Sequence, residues 1–189
     1  MVSTRASLTL LTILVAAIPL GLSGVSASDR ARSGKTPVEL PEFTQTAESA
    51  WINGGPLVRS DLAGRVTLVD IWTFECWNCY RSIPWLKTLE SQFDAEDFGI
   101  VGIHTPEFEH EKDRGRVLSK AAEFGVTHPV MLDNDFGYWR ALNNRYWPAF
   151  YIVDRKGRIR GRFVGETHAG DKRAQSIEAL IAELIAEPA

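Results

Sequence analysis

Cys76 and Cys79 are the only cysteines in the chain, and they stand as Cys76-Trp77-Asn78-Cys79. A thiolate at a helix N-terminus is stabilised by the positive end of the macrodipole and by unpaired backbone N–H groups. The flanks predict such a point: Val66 to Trp72 is an apolar, β-branched run, and Arg81 to Phe93 repeats apolar positions at helical spacing. The chemistry expected is dithiol/disulfide exchange, with Cys76 the attacking thiolate and Cys79 the thiol that resolves a mixed disulfide. An inert structural disulfide is the weaker reading, because closing so small a loop gains little stability. A zinc site would need two more ligands, and His104, His110, His128 and His168 show no paired spacing that would supply them. No metal and no cofactor is called for.

Around the pair stand residues suited to support it. Asp70 lies in a run expected to be buried on both faces, where a lone carboxylate is costly unless protonated or paired; such an acid can take the proton from Cys79 as it attacks. Glu75, directly before Cys76, disfavours the thiolate and opposes the helix-terminus effect. His104 and Glu107 follow a strand at the end of a sheet, where sites gather, and are candidates for tuning the cysteines. Trp77, Tyr146 and Trp147 could form an aromatic rim for an apolar client segment, and Trp72 reads as core support. Pro148 opens a strand directly after Trp147.

The elements that must position these residues follow from pattern. At 189 residues, 44% of them apolar, the chain is long enough for one domain plus an N-terminal extension. Residues 1–27 read as an export signal: Arg5, then the apolar stretch Leu8 to Leu22, then the small residues Val25-Ser26-Ala27 before a cleavage point. An uncleaved membrane anchor is the alternative. Residues 28–46 are rich in Ser, Arg, Glu, Thr and Pro and read as a flexible linker, so the domain is expected over residues 47–189. Trp51-Ile-Asn-Gly-Gly-Pro-Leu57 predicts a short hairpin turning at Asn-Gly. Val66–Trp72, Gly99–His104, His128–Leu132 and Ala149–Val153 predict strands; Lys112–Phe124 and Tyr138–Asn143 predict helices; Ile159–Val164 predicts the return strand of a hairpin and Asp171–Ala186 a closing amphipathic helix. This order implies an α/β layer fold with a mixed sheet. A net charge of −3, with no basic run interleaved with aromatics, argues against nucleic acid as a partner.

These residues resemble the thioredoxin superfamily. Asp70 stands six residues before the first cysteine, Trp72 two after that Asp, and Pro84 five after the second cysteine; Pro148 in Tyr-Trp-Pro-Ala-Phe is similar to the family's cis-proline. The long interval from Cys79 to Pro148 implies an extra helix and strand, as in the exported TlpA-like and ResA-like group. Asp70-Ile-Trp-Thr-Phe-Glu-Cys-Trp-Asn-Cys79, His104-Thr-Pro-Glu-Phe108 and Leu132-Asp-Asn-Asp135 resemble its DipZ-like branch. The resemblance implies a thioredoxin-like fold, a central mixed sheet flanked by helices, and a monomeric extracytoplasmic, periplasmic or secreted thiol-disulfide oxidoreductase. It also implies protein disulfides as substrates, cytochrome c maturation apoproteins among them, and recharging by a membrane thiol reductase. A cis Pro148 would present the backbone of Trp147 to an incoming peptide. The sequence departs from the family in lacking a Lys between Gly99 and His104 to face Asp70.

Two other functions compete. A thiol peroxidase would use Thr73-Phe-Glu-Cys76 and a sulfenic acid, although Val69 occupies the place of that motif's proline. A binding or copper-carrying module would use both thiols without turnover; copper carriers of this fold generally space them by three residues, and this chain has two.

Overall fold

The computed structural model of the protein describes residues 38–188, so the predicted export signal lies outside the described residues. Eleven helices and strands follow in order: β1 (Val38–Glu39), β2 (Trp51–Ile52), β3 (Val66–Trp72), α1 (Trp77–Gln92), β4 (Phe98–His104), α2 (Arg114–Phe124), β5 (Val130–Leu132), α3 (Gly137–Ala141), β6 (Ala149–Val153), β7 (Arg158–Val164) and α4 (Lys172–Ala186). The strands form one mixed sheet in the order β1-β7-β6-β3-β4-β5-β2. β3, β4 and β5 run parallel, whereas β6 is antiparallel to β3, and β7, β1 and β2 are antiparallel to their neighbours.

β3 sits at the centre and every one of its residues is buried, the expected result for a Val/Leu/Ile run covered on both faces. Its period-two alternation divides the core. Val66 and Leu68 pack with Trp85, Leu86 and Leu89 of α1 and with Ile177 and Ile181 of α4. Val69 and Ile71 face the other way, onto Tyr138 of α3 and onto Leu40, Phe43 and Trp51 from the N-terminal segment. Asp70 and Trp72 therefore share the α1 face of the sheet.

Helix ends follow local chemistry. The Asp113 and Asp171 carboxylates accept the Arg116 and Ala174 amides as N-caps of α2 and α4. Gly125 closes α2 at φ 73°. Between β4 and α2 lies a 3₁₀ turn, Glu109–Lys112, and α2 begins at Arg114, two residues after the start expected at Lys112.

Two expectations are corrected. Residues 51–57 do not make a hairpin: Trp51 and Ile52 form an edge strand against Met131 and Val130 of β5. Asn53 and Gly54, both at positive φ, turn the chain away, and no returning strand follows. Residues 38–46, assigned to the flexible linker, belong to the domain. Val38 pairs with Ile159, the Leu40 amide donates to the Gly157 carbonyl at 2.9 Å, and Phe43 stacks on Tyr138. Their polar composition concealed Leu40, which is fully buried.

Candidate active site

The register of the sheet assembles the site at one end. Trp72, the last residue of β3, pairs with His104, the last of β4, and Ile71 pairs with Ala149, the first of β6. The cis Trp147–Pro148 peptide therefore enters β6 beside the loop that leaves β3 for the cysteines. Cys76 is the N-cap of α1, and its Sγ accepts the Cys79 amide N–H at 3.2 Å. The two sulfurs are joined, with Cα atoms 5.2 Å apart. Cys79 is buried at 2% exposure while Cys76 is partly exposed, so one sulfur of the pair is open to a large partner. Cys76 and Trp147 pack against the same cluster, formed by Trp72, Phe74, Cys79 and Ile83 with residues of α2 and β5.

Asp70 lies beneath α1 with Gly102 as its β4 neighbour, and its Oδ1 has no hydrogen-bond partner. Burial pushes its pKa up to about 8, because the charged form loses its water with no cation in exchange. The expected absence of a facing lysine is thus realised as a glycine, and Asp70 can hold or take a proton near neutral pH.

Trp147 donates its indole N–H to the Thr105 carbonyl at 3.0 Å and packs on Trp139 with ring centroids 4.2 Å apart. Asp133 braces that arrangement, accepting the Thr105 hydroxyl at 3.1 Å and the Tyr138 and Trp139 amides at 2.9 Å. Trp77 is 66% exposed and Tyr146 57% exposed, and Trp77 continues through Tyr80 to Phe124 in a chain of ring contacts. Beside these rings Tyr80, Ile83, Pro84 and Phe124 line a groove of about 500 Å³ whose rim carries Lys87 and Glu123.

The tuning residues sort differently from expectation. Glu75 is exposed and its carboxylate meets His110 Nε2 at 2.8 Å. His104 is fully buried, its Nε2 lies 3.2 Å from the Thr73 hydroxyl, and burial pushes its pKa down to about 4 against the pull of Glu111. Glu107 turns its side chain to solvent and contributes only its backbone N–H, to Glu111. The acid that reaches the site is Glu111, which sequence reasoning missed. Its one local signal was an acidic residue three positions after Phe108, the residue that precedes the 3₁₀ turn, able to reach back to the Phe108 amide. Thr73 donates its hydroxyl to Glu111, so the Thr-x-x-Cys hydroxyl is committed inward, away from the role a peroxidase would give it.

A disulfide-linked pair at the tip of a helix, a buried acid under that helix and a cis-proline beside it, on this mixed sheet, define a thioredoxin-like protein with a thiol-disulfide site. The chain belongs to the Redoxin family, whose model matches residues 35–181. It is 36% identical over 121 residues to Protein DipZ of Mycobacterium tuberculosis, covering 62% of this chain and 17% of that one. It is 30% identical over 149 residues to the thiol-disulfide oxidoreductase YkuV of Bacillus subtilis, covering 78% of this chain and 95% of the relative. A thioredoxin-like protein solved in its oxidised form superposes with a TM-score of 0.67 at 28% identity, covering 78% of this chain and 97% of that one. The chain spans only 13% to 18% of the length of the long curated relatives it matches, DipZ among them.

Proposed function

We propose that the protein is an extracytoplasmic reductant of protein disulfides. The observation that carries this reading is the asymmetry of the pair: Cys76 is reachable at the helix tip and Cys79 is buried behind it. In the dithiol state the Cys76 thiolate attacks a client disulfide, forming a mixed disulfide and releasing one client thiolate. Cys79, its proton taken by ionised Asp70, then attacks Cys76 Sγ, and the second client sulfur leaves as a thiolate. Two electrons pass to the client and the Cys76–Cys79 disulfide is regenerated. Trp147 and Pro148 offer the client backbone a strand-like partner, while Trp77 and Tyr146 cover its apolar side chains.

Location and direction rest on further arguments. The apolar stretch Leu8 to Leu22 supports export, residues 1–27 acting as the signal peptide. Outside the cytosol a C-x-x-C pair is oxidised unless it is resupplied with electrons, so a membrane thiol reductase is the partner that keeps it a reductant. The buried carboxyl behind the pair, Asp70, favours that direction because it disfavours a neighbouring thiolate whenever it is ionised.

Equilibration of the disulfide with a dithiol buffer tests the direction. A potential near −270 mV supports a reductant, and one near −120 mV overturns that direction in favour of an oxidant. Cys79→Ala, expected to leave mixed disulfides on Cys76, identifies the clients by mass spectrometry of the trapped adducts.

A further inference from the structure

Glu111 is fully buried, yet no cation is paired with its carboxylate among the described residues. Oε1 accepts the Thr73 hydroxyl and, at 3.0 Å, the Glu75 amide. Oε2 accepts the Glu107 and Phe108 amides at 2.7 and 2.8 Å. All these donors are neutral, and they come from two separate loops: the one that runs from β3 into Cys76, and the one that leaves β4 after His104. Every other titratable group nearby leaves the charge unmatched. His104 on β4 is held neutral by burial; His110 engages Glu75; Lys112 engages Glu109 at 2.6 Å; Glu107 faces solvent. Burial pushes the Glu111 carboxyl up, but the Thr73 hydroxyl and the three amides outweigh it and hold it below its usual value.

We propose that Glu111 is a positioning residue for Cys76: it clamps the Thr73–Glu75 approach to the cysteine and, standing there as an unneutralised buried anion, sets how readily the Cys76 thiolate forms. A fixed negative charge held on the amide of Glu75, the residue before the cysteine, opposes the stabilisation that the α1 N-terminus gives the thiolate. It thereby weakens the dithiol state relative to the disulfide and makes the pair a stronger reductant. Glu75 carries the same sign, but exposure and the His110 contact dissipate its field. The inference rests on the thiol-disulfide chemistry of the pair and stands whichever way electrons flow.

The test compares the wild-type protein, Glu111→Gln and Thr73→Val, each equilibrated with glutathione and titrated for Cys76 thiolate absorbance in the reduced state. Gln keeps the size and removes the charge. It is expected to shift the equilibrium toward the dithiol by about tenfold, or about 30 mV for two electrons, and to move Cys76 ionisation to lower pH. Val at position 73 removes one neutral donor and keeps the charge, so its expected shift is in the opposite sense, about twofold to threefold toward the disulfide. The inference is overturned if Glu111→Gln changes melting temperature while leaving equilibrium and thiolate titration within twofold of wild type. It is equally overturned if Thr73→Val moves toward the dithiol, a result that decides the matter even should the Gln variant fail to fold. A wild-type disulfide that does not exchange with glutathione at all would instead sink the oxidoreductase reading itself.

Discussion

Asp70 and His104 are buried ionisable side chains that respond to pH in opposite senses. Asp70 is raised from the usual carboxylate value to about 8, so the folded protein binds a proton there that the unfolded chain releases. Its contribution to stability is complete below about pH 4 and is lost as pH rises through 8, at about 1.4 kcal/mol per pH unit between those limits. His104 is lowered from 6.5 to about 4, so its contribution is present above pH 6.5 and is lost as pH falls toward 4. Between pH 4 and 6.5 the two slopes cancel, and from 6.5 to 8 the Asp70 slope stands alone. Urea denaturation across this range should show Asp70→Asn gaining on wild type steadily from about pH 4 to pH 8, since His104 is common to both proteins. The same variant should slow the release of mixed disulfides, read in a stopped-flow assay, because Cys79 loses its proton acceptor. A wild-type level of both would remove Asp70 from the mechanism. Cys76, Cys79, Asp70 and Pro148 were legible because they stand at short fixed intervals or at the start of an apolar run. Glu111 was not: it lies far along the chain from Thr73, and only the pairing of β3 with β4 brings their loops together.

At the level of elements, β4 is a place where the sheet has little tolerance. Gly102 faces Asp70 in the register, and a Cβ there would stand 2.9 Å from Val130 Cγ2 and 3.1 Å from the Trp72 indole nitrogen. Gly102→Ala is therefore expected to cost about 1–3 kcal/mol by overpacking, measured as a fall in the urea midpoint. An unchanged midpoint would mean that β4 and β5 can part without loss. Central strands and helices were readable because their signals are local: β-branched runs for β3 and β6, apolar residues at helical spacing for α1 and α4. The Asn53-Gly54 step carried the right turn signal and the wrong partner. Positive φ there bends the chain as expected, but which strand Trp51 and Ile52 join is settled by β5, whose Met131 and Val130 lie far away in sequence.

For the whole molecule, the boundary of the domain is the sharpest test. Leu40 and Phe43 complete the face of the core that holds Trp51, Val69 and Tyr138. A protein beginning at Thr36 should unfold cooperatively, whereas one beginning at Ala47 should lose on the order of 5 kcal/mol from those two side chains alone, a large share of a typical domain's stability. Calorimetry showing equal melting temperatures would return residues 38–46 to the role of a tether. Composition hid this segment because burial of Leu40 and Phe43 depends on a groove that exists only once β7 and α3 are in place. The outermost strands, β1 and β2, have a consequence of their own. The described part of β1 and the whole of β2 are two residues each, and β2 ends at the Asn53-Gly54 bend. A stranger's backbone arriving at the β2 border finds a ladder of barely two rungs and then a bend, so that border offers little on which to seed a fibril.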